Sequence, residues 1–117
     1  MPDTRKNKDY NPYNCPVTHC MNKIGGKWKI LIIYAVSKNV NRFGKLQKVL
    51  PLMSKQMLVN QLRELEVDNI LDRHIFAEMP PRVEYQLTER GKSLIPVIKI
   101  MQEWGVKDLE MDSALAS

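Results

Sequence analysis

Two cysteines, Cys15 and Cys20, and two histidines, His19 and His74, are the side chains of this sequence best suited to covalent or metal chemistry. Cys15 directly precedes Pro16. Proline suits the first position of a helix, so the thiol should sit at the positive end of a helix dipole. With lysines around it, that place favours thiolate over thiol, and thiolate is the reactive form. The other reading of the same residue is an inert, half-buried thiol. Cys20 falls beside the apolar stripe of the same helix, too far along it to reach Cys15 in a disulfide unless the helix unwinds. It suits core packing. Cys15 and His19 stand at i and i+4, but they make a pair where a tetrahedral structural metal site needs four ligands, so neither metal nor cofactor is expected. The chain has no Gly-rich phosphate loop and no nucleophile with a matching base, and an enzyme is not expected.

The remaining chemistry is electrostatic. Between Asp9 and Glu64 no aspartate or glutamate occurs, while Lys23, Lys27, Lys29, Lys38, Arg42, Lys45, Lys48, Lys55 and Arg63 all fall there. Residues 64–117 reverse the sign, and the whole chain carries +5. Such a basic half points to a polyanionic partner, because each phosphate neutralised by Lys or Arg releases condensed counterions. A solvated basic face that only keeps the protein soluble has the same composition.

The elements that must position these charges follow from periodicity. At 117 residues the chain fits one domain. Residues 1–14 read as a flexible polar tail, 15–112 as a single domain and 113–117 as a short tail. Pro16 leads into Val17, Cys20, Met21 and Ile24 at helical spacing, stopped by Gly25 and Gly26. A second helix starts near Lys27, with Trp28, Leu31, Ile32, Ala35 and Val36 on its stripe. Phe43, Leu46, Val49 and Leu50 mark a third, closed by Pro51. Ser54 offers an N-cap to a fourth, whose Leu58, Leu62 and Leu65 face the core. From Ile70 the pattern turns strand-like, and Arg82 to Leu87 alternates with Val83, Tyr85 and Leu87 on one face. Glu78 to Pro81 join the two strands as a hairpin loop. Thr88 then caps a last helix, apolar on more than one face, which Pro96 should bend or divide.

Helices followed by a two-stranded hairpin are the order of a winged helix-turn-helix, an α+β, mainly helical fold. The local strings bring the match closer: Cys15-Pro16-Val17, IGGKWKILIIY over 24–34, Arg42-Phe43 with Leu46, LVNQLRELEVDNIL over 58–71, PPRVEYQLTERG over 80–91, and Glu103-Trp104-Gly105. Over about residues 15–105 the chain resembles the HxlR-type bacterial transcription regulators, relatives of the MarR-like winged-helix proteins. Cys20 has no role in that resemblance.

The fold order makes the helix from Ser54 to about Asn69 the one that enters the DNA major groove. With its leucines turned inward, its outer face presents Lys55, Gln56, Val59, Asn60 and Arg63. Gln56 and Asn60 suit adenine, Lys55 and Arg63 suit guanine, and Val59 suits a thymine methyl. An ordinary polar helix face has the same look. Arg42, Lys45 and Lys48, with Ser54 at the helix N-terminus, are the candidates for phosphate contacts. Arg82 is the wing residue, either entering the minor groove or salt-bridged to Glu84 or Glu78.

The resemblance further implies a homodimer, built from the first and last helices, on a palindromic operator. It implies a transcriptional regulator, expected to repress, that responds to an oxidant or small-molecule effector through Cys15. The expected partner is double-stranded DNA. The longest apolar run, Ile30 to Val36, is too short for a membrane span, and the polar opening has no secretory core, so a cytoplasmic protein is expected. The competing function is a dimeric protein-interaction module that uses the basic face without binding DNA.

Overall fold

A computed structural model describes residues 11–116 of the chain. The first ten residues of the expected polar tail lie outside the described residues. Caps written into the sequence bound the helices. Cys15 is the N-cap of α1 (Pro16–Ile24), and its sulfur accepts from the Thr18 N–H. Ser54 is the N-cap of α4 (Lys55–Val67), accepting from the Met57 N–H at 3.1 Å. Between them lie α2 (Lys29–Ser37) and α3 (Phe43–Val49). Both α2 and α4 end on an asparagine in the left-handed region, Asn39 with φ 66° and Asn69 with φ 58°. In each case the next N–H reaches back to satisfy a last-turn carbonyl, Val40 to Ala35 at 3.0 Å and Ile70 to Leu65 at 2.9 Å.

After α4 the chain forms an antiparallel hairpin, β1 (Leu71–Phe76) with β2 (Arg82–Leu87), in a register that pairs Leu71 with Leu87 and Phe76 with Arg82. The sheet has a further partner that periodicity did not reveal, because the Tyr85 N–H donates to the Asn41 carbonyl at 2.8 Å. That bond ties the segment before α3 to the wing. Thr88 does cap a helix, but it is the short α5 (Glu89–Lys92) rather than the long one. A break at Ser93 and Leu94 separates α5 from α6 (Ile95–Ala116). Pro96 thus divides the expected helix. It occupies the first turn of α6, where a missing N–H costs no intrahelical bond. The long helix also runs to Ala116, past residue 112, since Ser113 to Ala116 contain neither glycine nor proline to stop it.

The core is one cluster drawn from every part of the fold: Ile24, Ile32, Ile33, Val36, Leu46, Met53, Leu58, Leu62, Leu65, Ile70, Leu71, Tyr85 and Ile98. Leu58, Leu62 and Leu65 face inward as their spacing predicts. Each such leucine, fully buried, contributes about 1.5–3 kcal/mol. In α2 the expected stripe is shifted. Ile33 is fully buried and Leu31 projects outward, because the helix packs against both β2 and α6 and buries two flanks. Val17 and Met21 of α1, and Val49 of α3, also remain exposed within the single chain. No described helix is long and apolar enough to cross a membrane.

Candidate nucleic-acid interface

With Leu58, Leu62 and Leu65 fixed in the core, the outer face of α4 is determined. Lys55, Gln56, Asn60 and Arg63 are exposed, and Val59 is half-buried among them. Gln56 donates through Nε2 to Asn60 Oδ1 at 3.0 Å, so the two amides are already ordered one turn apart along the face. Each retains donors and an acceptor for a base edge. Ser54, at the mouth of the helix, uses its hydroxyl to cap Met57.

The basic residues of the acid-free segment divide by partner, and two of them, Lys27 and Lys38, lie over the Trp28 and Tyr34 rings at 4.9 Å and 5.5 Å. Lys23 pairs with Asp68 at 3.2 Å, Lys29 with Glu64 at 3.5 Å, and Arg42 with Glu84 at 3.5 Å. Lys29 is held deeply, its side chain only 12 % exposed. These three cations are occupied in tying the acid-free segment to the acidic half of the chain. Among the described residues, Lys45, Lys48, Lys55 and Arg63 form no ion pair, and all are exposed. Their charges remain available on α3 and α4, the surface that a helix-turn-helix turns to a duplex.

Arg82 lies at the loop end of the wing, opposite Phe76, held from several sides. Its Nη1 is 3.3 Å from Glu78 and its Nε 3.5 Å from Glu84, and its guanidinium lies 4.2 Å over the Phe76 ring. The Nε contact is too oblique for a hydrogen bond, so the Glu84 attraction is one of charge. Glu84 therefore sits between Arg82 and Arg42, joining the wing to the start of α3.

Cys15 is half-buried at the N-terminus of α1. Its sulfur lies 3.1 Å from the Thr18 hydroxyl and 3.4 Å from the Thr18 N–H. The hydroxyl first, and then the backbone N–H, stabilises negative charge on sulfur and holds the thiol below its ordinary range against an opposing effect of burial. No lysine is among the causes, which corrects the electrostatic reason expected from the sequence. Cys20 is also a free thiol and packs half-buried against the core. Among the described residues no three His, Cys, Asp or Glu side chains are grouped to hold a metal.

A family model described as HxlR-like helix-turn-helix matches residues 23–113, most of the chain and all of the interface just described. The chain belongs to the HxlR-like helix-turn-helix family. Its curated relatives are named as regulators: an uncharacterized HTH-type transcriptional regulator, YybR of Bacillus subtilis, is 42 % identical over 101 residues, covering 86 % of this chain and 81 % of its own. A second from Bacillus subtilis, YdeP, is 44 % identical over 93 residues, covering 80 % of this chain and 73 % of its own. Among solved structures, the redox regulator HypR in its oxidized form superposes with a TM-score of 0.73 at 40 % identity, over 80 % of this chain and 96 % of that one. The reduced form of YodB from Bacillus subtilis superposes with a TM-score of 0.65 at 33 % identity, over 78 % of this chain and 90 % of that one. As a family member the chain is a winged helix-turn-helix DNA-binding transcriptional regulator. Cys15 and Cys20 lie before the segment that the HxlR-like model matches.

Proposed function

We propose that this HxlR-like protein acts as a cytoplasmic homodimeric repressor on a palindromic operator, reading bases with Lys55, Gln56, Val59, Asn60 and Arg63. The observation that carries this reading is the exposed, unpaired half-face at the start of α4, where ordered amides stand between free cations. Lys45 and Lys48 serve phosphate contacts, and the N-terminus of α4 at Ser54 offers free N–H groups to another. Arg42 joins them by leaving Glu84. Arg82 fixes the shape of the wing through Glu78, Glu84 and Phe76, and it reaches the minor groove only if those pairs exchange for phosphate and base. Residues with a regulator's geometry and relatives that are regulators also argue against an enzyme.

The protein responds to oxidants or electrophiles through Cys15. Two findings support this: a thiol held toward its reactive form by Thr18, and similarity to HypR, a redox regulator known in oxidized and reduced forms. The test of the DNA interface is a gel-shift titration on an operator selected from a random pool. Asn60→Ala and Arg63→Ala should each reduce specific affinity by about 1–3 kcal/mol, with the fold unchanged by circular dichroism. Lys45→Ala and Lys48→Ala should weaken specific and random DNA alike and lower the salt slope by about one each. Wild-type affinity in both of the first pair would remove α4 from base reading.

A further inference from the structure

The start of α3 and the wing are tied at two neighbouring positions. The Tyr85 N–H donates to the Asn41 carbonyl at 2.8 Å, and one residue along each segment Arg42 Nη2 meets Glu84 Oε1 at 3.5 Å. The backbone bond keeps the two side chains within reach of one another. Glu84 is the more enclosed of the pair, its side chain 19 % exposed against 44 % for Arg42. The same Oε1 also faces Arg82 Nε at 3.5 Å, so one carboxylate oxygen serves two guanidinium groups. The two arginines differ in what else holds them. Arg82 has Glu78 at 3.3 Å and the Phe76 ring, whereas among the described residues the Arg42 side chain has Glu84 alone. Arg42 can therefore leave without stranding a half-buried carboxylate, because Arg82 stays beside it. The open cleft of about 540 Å³ between the start of α3 and the wing loop gives its guanidinium room to turn.

We propose that Glu84 is a specificity-determining residue, which withholds Arg42 from random DNA and yields it to a phosphate once α4 is seated in its operator. This rests on the DNA interface proposed above. A carboxylate beside the start of α3 both occupies a cation and repels phosphate, and random sequence supplies nothing that offsets the loss. In the operator, base contacts by α4 draw the start of α3 onto the backbone, where a phosphate takes the guanidinium with charge-assisted hydrogen bonds. Glu84 thus acts by weakening wrong sites more than the right one.

The experiment compares Arg42→Gln, Glu84→Gln and the double variant on the selected operator and on random duplex, across a salt series. Arg42→Gln should weaken operator binding about tenfold and lower its salt slope by about one, while random duplex stays within about twofold of wild type. Glu84→Gln should tighten random duplex about fivefold or more and steepen its salt slope by about one, so that the preference for operator falls. In the double variant that gain should vanish, which tells a released Arg42 from the mere loss of a negative charge. A Glu84 that only anchors the wing would leave random binding unchanged or weaker in Glu84→Gln, and that outcome overturns the proposal. Equal losses on both duplexes in Arg42→Gln, or a gain that persists without Arg42, overturn it as well. Should Glu84→Gln fail to fold by circular dichroism, the contrast between the two duplexes in Arg42→Gln decides alone. Without DNA, the guanidinium NMR signals of Arg42 should shift more than those of Arg82 in Glu84→Gln; unmoved Arg42 signals would show that Glu84 does not hold it. A wild type that prefers no sequence from the pool sinks the DNA reading instead, and the guanidinium signals still report the Arg42 pair.

Discussion

Thr18 has one hydroxyl proton and two acceptors within reach, the Cys15 sulfur and the Pro12 carbonyl oxygen. With Cys15 protonated, the thiol can donate to Thr18 while Thr18 donates to Pro12. When sulfur carries charge, the hydroxyl gains by turning to it, because a hydrogen bond to an ionised acceptor is the stronger one. The Thr18 hydroxyl is accordingly the leading cause of the lowered Cys15 pKa, ahead of the Thr18 N–H. The sign is fixed: a folded pKa below the ordinary value means that the thiolate population, and so the alkylation rate, rises at lower pH than for a free thiol. Thr18→Val keeps the branched shape and deletes the donor. Measured in a Cys20→Ser background, the midpoint of the rate profile against pH should move upward in Thr18→Val. An unchanged midpoint would show that the hydroxyl does not hold the thiolate.

At the start of the hairpin α5 makes a close backbone approach. Thr88 Oγ1 donates to the Asn69 carbonyl at 2.7 Å and accepts from the Gly91 N–H at 3.0 Å, so one side chain closes α4 and opens α5. A Cβ on Gly91 would stand 2.3 Å from the Ile70 carbonyl oxygen, a backbone atom that cannot turn aside. At Gly44 in α3 a Cβ would meet nothing. The same substitution should therefore have opposite signs in urea denaturation. Gly91→Ala should cost about 1–3 kcal/mol as overpacking, whereas Gly44→Ala should gain about 0.5–1 kcal/mol by restricting the unfolded chain. Equal effects would remove the close approach as the reason for glycine at 91.

This crossing also marks how far the sequence could be read. Leu58, Leu62 and Leu65 were legible because helical period alone fixes them, and with them the outward set Lys55, Gln56, Asn60 and Arg63. Ser54 and Thr88 were legible as caps because a hydroxyl before a helix has few other uses. The turn that splits α5 from α6 was visible only as Pro96, since a segment apolar on more than one face gives no clear phase from which to place a break. The pairs Lys23 with Asp68 and Arg42 with Glu84 join residues more than forty positions apart, and no local pattern carries that information. For the same reason the cleft between α1 and the α5–α6 junction, lined by Cys20 and Arg90 among others, was invisible before the fold brought its walls together.

At the scale of the whole molecule, the unpaired cations of α3 and α4 and the long apolar row of α6 lie on different elements. The acids of the second half partly return to neutralise Lys23, Lys29 and Arg42, and among the cations they leave unpaired, Lys45, Lys48, Lys55 and Arg63 lie on α3 and α4. The longest row of exposed apolar side chains lies along α6, where Ile100, Trp104 and Leu109 are each exposed by 66–68 %, with Val17 and Met21 of α1 exposed as well. Only Ile98 of the 22-residue α6 is buried. A row of large apolar side chains on this scale is the mark of an interface, since monomers seldom leave such a patch in water. In the proposed homodimer a second copy of the chain would cover it through a two-fold, which would also set the two α4 helices about one DNA turn apart. Light scattering at micromolar concentration should then give about twice the 13.6 kDa chain mass. Trp104→Glu would place two carboxylates in the contact and should return the mass to one chain. Because each half-site binds with the help of the other, that variant should lose about a hundredfold or more in operator affinity while its α4 face stays intact. A wild type that runs as a single chain, or a monomeric Trp104→Glu protein with full operator affinity, would defeat the two-fold arrangement.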